Sequence, residues 1–320
     1  MATGVLSDFQ IYSEYVNLAF WERLAQNVAV MNAASNGALV HTTENTGTGY
    51  YRYESFIKGT PGVESRDPTS VAGLTDNNVA TDQNIAVKIF RRKHQATTID
   101  QWLQVGQDPR AFEAYFGQKL AEDVVKDCID QGLGAANAAL SNNSSVLYDG
   151  SDSTLATADL VSGLACFGDQ AGDIVCWVMH SKPYYDLVAS QISANVYGVS
   201  NFNVQTATPV TLNRPVVVTD CTSLVVSGTT ARYITLGLTR DALRFVQRAP
   251  YTAVEEVTGL ANIVVRIQSE YDYTLAVRGF KWDVTSGGSN PSTASVKTAA
   301  YWDATATSYK HYAGVRIRTQ

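Results

Sequence analysis

The residues of this chain that could do chemistry are scattered, and their spacing argues against a catalytic centre. His180 and Ser181 stand side by side after the apolar run DIVCWVM. Serine-type hydrolysis needs a base that reaches a separate nucleophile, and an acid that orients the base. Sequence neighbours rarely meet that geometry, so Ser181 reads instead as the N-cap of the helix SKPYYDL. Asp123 and Asp127 stand four residues apart on a helical stretch and share a face. Such a pair could hold a cation, and its plainer reading is a solvated face. The four histidines, His41, His94, His180 and His311, form no metal-binding pair with a second histidine or a carboxylate. No phosphate-binding loop, dinucleotide glycine fingerprint, nucleophile elbow or zincin motif occurs. The expectation is no catalytic residue, no cofactor and no metal.

Lys88, Arg91, Arg92 and Lys93, with His94, make the one dense basic cluster. Phosphate or an acidic partner would suit it, but at strand spacing Arg91 and Lys93 share one face while Lys88 and Arg92 share the other. That is no coherent stripe facing DNA, and a solvated or intersubunit charged strand explains it better. Cys128, Cys166, Cys176 and Cys221 match no zinc or redox spacing and read as buried thiols of a reducing compartment. Asn142 and Asn143 each begin an N-x-Ser sequon, which matters only in a secreted chain.

At 320 residues the chain can bury a substantial core. Its charged fraction of 17% is low, and it carries 17 tyrosines. Large subunit contacts have this character, with cores depleted in charge and enriched in aromatics. The net charge of −6 argues against a dedicated nucleic-acid binder. No apolar run is long enough to cross a membrane, and the N-terminus, broken by Glu14, Glu22 and Arg23, is no secretory signal. A cytosolic protein is expected.

The element that must organise the rest is the stretch from Asp108 to about Leu140. Asp108 suits an N-cap and Pro109 the first helical position. Phe112, Phe116, Leu120, Val124 and Cys128 repeat every fourth residue, which predicts one amphipathic rod on the order of 45 Å long. Gly132 and Gly134 predict a bend or break near its end. Before it, Tyr15, Leu18, Trp21, Leu24, Val28 and Met31 predict an N-terminal helix stopping near Gly37. YYRYESFI (50–57) and IAVKIFRRKHQATTI (85–99) read as paired strands around a long polar tip. A hairpin alone cannot bury a core, so this one must lie against another surface, such as another subunit. Residues 141–158 read as a polar linker and a domain boundary. Beyond it, helices and strands alternate, with a buried strand at 212–220, and predict a mixed sheet with helical cover. Residues 253–283 turn antiparallel, 285–299 read as a loop, and HYAGVRIR as a last strand.

Taken in order, these segments resemble the major capsid protein of tailed double-stranded DNA bacteriophages. FWERLAQNVAVMNAASNGAL looks like the family's N-terminal arm, and YYRYESF with ESRDPTS like the start and tip of its extended loop. VCWVMHSKPYYDLV and LNRPVVVTD resemble axial-domain segments, while LAVRGFKWD and YKHYAGVRI resemble closing strands of the peripheral domain. The resemblance implies an α+β fold shared with encapsulins and the herpesvirus capsid floor. It implies an arm at 1–40, an extended β-hairpin loop at 41–100, a peripheral domain with the spine helix at 101–150 and 250–320, and an α/β axial domain at 151–249. The implied protein is structural and non-enzymatic. It would self-assemble as hexamers and pentamers into an icosahedral virion shell around DNA that it contacts without sequence specificity. Portal, a separate scaffolding protein and a possible decoration protein are the implied partners, with assembly in the host bacterial cytoplasm and no membrane. Lys58 lies in the loop, but no local match supports the covalent crosslink some members form. The expected contact residues are Trp21, Tyr50, Tyr51, Tyr53 and Phe56, with Arg66 and Asp67 at the loop tip; for Trp21 and Phe56, local core is the competing reading. Two other classes fit the same residues: a nanocompartment shell of this fold, and a β-rich binding protein or enzyme.

Overall fold

The computed structural model describes residues 6–44, 47, 49–59, 63, 65–66, 68–70, 79–98, 109–150, 153–196 and 211–320. Two long helices dominate one side. Helix α1 spans Leu6–Ala34 and α2, the spine, spans Pro109–Ser141. At 33 residues α2 is about 50 Å long. Its expected stripe is buried at Phe116, Leu120, Val124 and Cys128. Each large apolar side chain there contributes about 1.5–3 kcal/mol on burial. Asp108 and the Phe112 side chain lie outside the described residues.

The expected interruption at Gly132 and Gly134 is not a break, since α2 runs continuously past both. A Cβ on Gly132 would sit 2.3 Å from the Phe245 ring, and one on Gly134 would sit 2.6 Å from Cγ of Lys297. Leu133, Ala135 and Ala136 around them are fully buried. Packing on this turn outweighs the roughly 1 kcal/mol that glycine costs a helix. The face of α1 also differs from expectation. Val16, Phe20, Leu24 and Met31 are buried, Trp21 and Val28 are half-buried, and Leu18 is exposed. Among the described side chains the stripe runs through Val16, Phe20 and Leu24, so Leu18 falls on the opposite side, and the Tyr15 side chain lies outside the described residues.

The first sheet carries β1 (Leu39–Thr43), β2 (Tyr51–Gly59), β3 (Ala80–Thr98), β9 (Leu243–Gln247), β10 (Tyr251–Val257) and β11 (Val264–Val277). Its order is β1-β9-β11-β3-β2, with β10 also on β11. The 19-residue β3 does two jobs. From Val87 to Thr98 it pairs antiparallel with β11, and from Ala80 to Val87 it pairs antiparallel with β2. The hairpin is thus the sheet's own extension, rooted at Val87.

The second sheet carries β4 (Leu147–Asp149), β5 (Ile174–Met179), β6 (Val216–Val218), β7 (Val225–Val226), β8 (Arg232–Thr239) and β14 (Gly314–Thr319). Its order is β4-β14-β8-β5-β6, with β7 on β8. It mixes parallel pairs, β14 with β4 and β5 with β6, with antiparallel ones. Helices α3 (Thr157–Ala165) and α4 (Ser181–Val196) flank it. Trp177, Ile234, Leu236, Val315 and Ile317 are fully buried in its core. Three local expectations change here. The stretch read as a linker supplies β4 and the buried Val146, because its backbone pairs with β14. The strand expected to be buried at 212–220 is the short edge strand β6, with Val218 exposed. The loop at 285–299 holds two single-turn helices, α5 (Val284–Gly287) and α6 (Thr293–Val296), capped by Asp283 and Ser292. Between the sheets, β12 (Phe280–Trp282) pairs with β13 (Trp302–Ala304) around the Trp282–Trp302 contact.

His41 on β1 is a buried polar group in this core. Its Nε2 lies 2.9 Å from Oε1 of Gln247, and its ring stacks on Phe245. Burial lowers its pKa from 6.5, against a smaller raising effect of the Gln247 bond. The unfolded chain therefore takes up this proton first, so the His41 contribution is complete above the unfolded value and declines as pH falls toward the folded one. Wild-type melting temperature should fall more steeply than that of His41→Gln between about pH 7 and pH 5.5. Equal slopes would remove His41 as the cause.

Candidate functional site

The chemical candidates resolve into structural roles. Helix α4 begins at Ser181, and its cap is His180 rather than Ser181. The Lys182 N–H donates to Nδ1 of His180 at 3.2 Å, with Ser181 Oγ 3.4 Å from the same nitrogen. Asp220 accepts from the Ser181 N–H at 3.4 Å and lies 3.6 Å from His180 Nε2. The three residues imitate a catalytic triad, but Nδ1 already accepts a backbone proton and cannot serve the hydroxyl as a base. His180→Ala should cost about 1 kcal/mol, as loss of a cap does, read from the urea midpoint.

Three members of the basic cluster, Lys88, Arg91 and Lys93, are paired within the chain. Lys88 is buried, which neither sequence reading foresaw. Its ammonium lies 2.9 Å from the buried Asp272 carboxylate and donates to the Gly47 carbonyl at 2.7 Å. Arg91 reaches Asp127 at 3.3 Å, and Lys93 pairs with Asp123. Asp123 and Asp127 are thus neither a cation site nor a purely solvated face: they fasten the sheet to the spine. The Tyr273 hydroxyl adds a 2.9 Å bond to Asp127, and burial raises its pKa, keeping it a donor. One turn further along α2, Asp130 accepts from Lys297 at 2.5 Å, Cys221 at 2.7 Å and Ser223 at 2.9 Å. Burial pushes the Asp130 carboxyl up, but these three bonds outweigh it and lower its pKa. The four cysteines are free; Cys128, Cys176 and Cys221 are buried, and Cys166 is half-buried. Among the described residues no group of His, Cys, Asp or Glu is placed to hold a metal.

What remains unspent is surface. Cross-strand partners share a face, so Tyr51, Tyr53, Ile57, Ile85 and Val87 lie on one side of the hairpin. Tyr53 and Ile57 are exposed there. Arg52, Glu54 and Phe56 lie on the other, where Arg52 pairs with Glu54 at 3.2 Å and Glu44 at 3.6 Å. The hairpin thus carries Tyr51, Tyr53 and its isoleucines on one face, interrupted by Ser55 and Gln83, and its charged residues with Phe56 on the other. Of the expected contact residues, Tyr50 and Tyr53 are exposed, with Tyr50 edge-on to Phe90. Tyr51 is half-buried, packs on the main core and meets the Tyr53 ring edge-on. Phe56 is half-buried and Arg66 exposed, while Asp67 lies outside the described residues. Trp21 is half-buried, edge-on to Phe20 and packed on the core. Ile57 was missed, although the alternation of YRYESFI places it with the tyrosines. Tyr251, 74% exposed at the start of β10, was missed as well, and only the sheet pairing identifies its neighbours.

A family model described as Gp13-like, major capsid protein 13-like, matches residues 8–316. Among solved structures, a chain of the cyanophage Pam1 capsid asymmetric unit aligns with a TM-score of 0.53 at 11% identity, covering 85% of each chain. A chain from Mycobacterium phage Ogopogo aligns with a TM-score of 0.50 at 10% identity, covering 91% of this chain and 92% of that one. The capsid structure of cyanophage P-SCSP1u gives 0.50 at 12% identity, over 74% and 83%. Among curated protein sequences none matches. At these identities the structural likenesses establish the fold.

Proposed function

This chain belongs to the major capsid protein 13-like family, and from that premise we propose how its surfaces build a shell. It is a structural protein of the tailed-phage virion, assembling with copies of itself, and it is not an enzyme. The match over residues 8–316 carries that conclusion and displaces the compartment and enzyme readings.

In the proposal, subunits group as hexamers and pentamers around double-stranded DNA that they touch without reading sequence. Assembly takes place in the host bacterial cytoplasm with portal and a separate scaffolding protein, and a decoration protein is an optional addition. The chain divides into an arm (1–40), an extended loop (41–100), a peripheral domain (101–150 and 250–320) and an axial domain (151–249). The hairpin rooted at Val87 and the unbroken spine support this division. Three strands cross it, since β9 pairs in the first sheet and β4 and β14 pair in the second. Tyr53 on one face of the hairpin, with Tyr51 as its packed support, Tyr50 and Phe56 on the other, Arg66 and Asp67 at the tip, and Trp21 on α1 form the contacts with adjacent subunits. Exposed aromatics on a protruding hairpin support them, because isolated subunits leave that area wet. Each contact can be modest when closed symmetry lets every subunit bind several neighbours.

Negative-stain electron microscopy with size-exclusion chromatography tests this. Closed shells, tubes, sheets or ring-shaped capsomers are expected. Replacing residues 60–79 with a short turn should abolish closed shells while leaving the melting transition in place. A monomer that never assembles, even with its genomic neighbours co-expressed, would end the proposal.

A further inference from the structure

The face of the first sheet turned away from α2 holds a cationic hollow. Phe90, Arg92, Arg248, Tyr251, Glu270 and Asn290 line it. Register places Arg92 and Tyr251 on either side of Glu270, so all three share that face, while Arg91 and Lys93 point to the spine. The charges do not balance. Asp272 at the base is met by Lys88 at 2.9 Å and by Arg248 at 3.3 Å. Glu270 accepts the Gln268 amide at 2.6 Å. Arg92 is exposed and has no ion-pair partner among the described residues, although it stands opposite Glu270. With Arg91 paired to Asp127, the cations Lys88, Arg92 and Arg248 stand against Asp272 and Glu270 here, and Arg92, two strands from Tyr251 on the same face, is the surplus one.

The chain carries a segment of matching sign. Residues 60–79 contain Glu64, Asp67 and Asp76 against the single cation Arg66. That segment joins β2 to β3, and β3 leads from Ala80 at the hairpin's outer end to Arg92. At a rise of about 3.3 Å per residue, the hollow is about 40 Å from its own hairpin's outer end. A second copy is the natural source of that segment.

We propose that this hollow receives a carboxylate from the acidic 60–79 segment of a second copy of this chain, with Arg92 as the clasp and Tyr251 as the rim. The inference rests on the shell reading above and supplies the surface on which the loop lands. A guanidinium presents a planar fork that a carboxylate can engage through two parallel hydrogen bonds.

The test is reciprocal charge reversal in the full chain. Arg92→Glu should still unfold in one transition, lowered only by the small cost of a like-charge pair with Glu270, because both residues are exposed. It should yield on the order of tenfold fewer closed shells by electron microscopy, as loss of a desolvated interfacial charge pair does. Glu64→Lys, Asp67→Lys and Asp76→Lys together should show the same loss, and all four reversals in one chain should restore shells. Arg92→Gln, free of repulsion from Glu270, should give a smaller loss. Wild-type yield from Arg92→Glu would overturn the inference. If replacing 60–79 still abolished shells in that case, the loop would stand as a contact that lands elsewhere. Failure of the combined reversal to restore shells would also overturn it. Normal shells that merely retain less nucleic acid would assign the hollow to phosphate and end the proposal.

Discussion

Lys88→Ala is expected to destabilise the isolated subunit by about 3–5 kcal/mol, since it strands a buried carboxylate. Both Lys88 and Asp272 side chains are 2% exposed. The contact is held by charge at 2.9 Å rather than by a well-aimed hydrogen bond, so its strength comes from the low polarity around it. Removing the ammonium leaves Arg248, itself 41% exposed and 3.3 Å away, as the one cation on Asp272. It also frees the Gly47 carbonyl, which Lys88 holds beside the root of the hairpin. Two effects should appear together: a lower urea midpoint, and faster amide exchange at residues 49–57. The double variant Lys88→Met with Asp272→Leu removes both charges and should recover most of the stability. It should not recover the protection of the hairpin root, because methionine cannot hold the Gly47 carbonyl. If Lys88→Ala unfolds at the wild-type midpoint, the pair is not buried in solution.

The second large effect belongs to Gly117, at the crossing of the two long helices. A Cβ there would sit 2.4 Å from the Val16 carbonyl oxygen and 3.2 Å from the Phe20 nitrogen. Both obstacles are backbone, so no rotamer change relieves them. In an isolated helix Gly→Ala would gain about 1 kcal/mol. Here Gly117→Ala should instead destabilise, by about 1–3 kcal/mol, the usual range for overpacking. Gly117→Leu should lift α1 from α2 and separate Arg23 from Glu122, now 3.2 Å apart. Hydrogen exchange over residues 16–31 reads this directly, and exchange in the second sheet should not change. A stabilising Gly117→Ala would show that the helices do not meet there.

The features legible in the sequence are those with a short period. The apolar residues from Phe116 to Cys128 give the spine, and the alternation in YRYESFI gives a hairpin strand. Features set by distant partners were not legible. Gly132 looks like a helix breaker until Phe245 is placed against it. Leu147–Asp149 look like linker until β14 arrives beside them. Lys88 looks like surface because its counter-charge lies on β11, far along the chain. Which side chains stand exposed was half legible for the same reason. Tyr53 announces itself by type and spacing, whereas Arg92 differs from Arg91 and Lys93 only in which face the register gives it.

The placement of β14 has a consequence for the timing of synthesis. Gly314–Thr319 fill the gap between β4 and β8, so the second sheet stays split until those residues have left the ribosome. At roughly 5–20 residues per second, β4 waits about 10–30 s for its partner. The first sheet closes earlier, once β11 is made. Throughout that interval the nascent subunit presents a finished hairpin and an unfinished second sheet. A chain cut short before Gly314 would therefore carry the finished hairpin without the second sheet, and on the contact proposed above it should poison a growing shell rather than merely fail to join it.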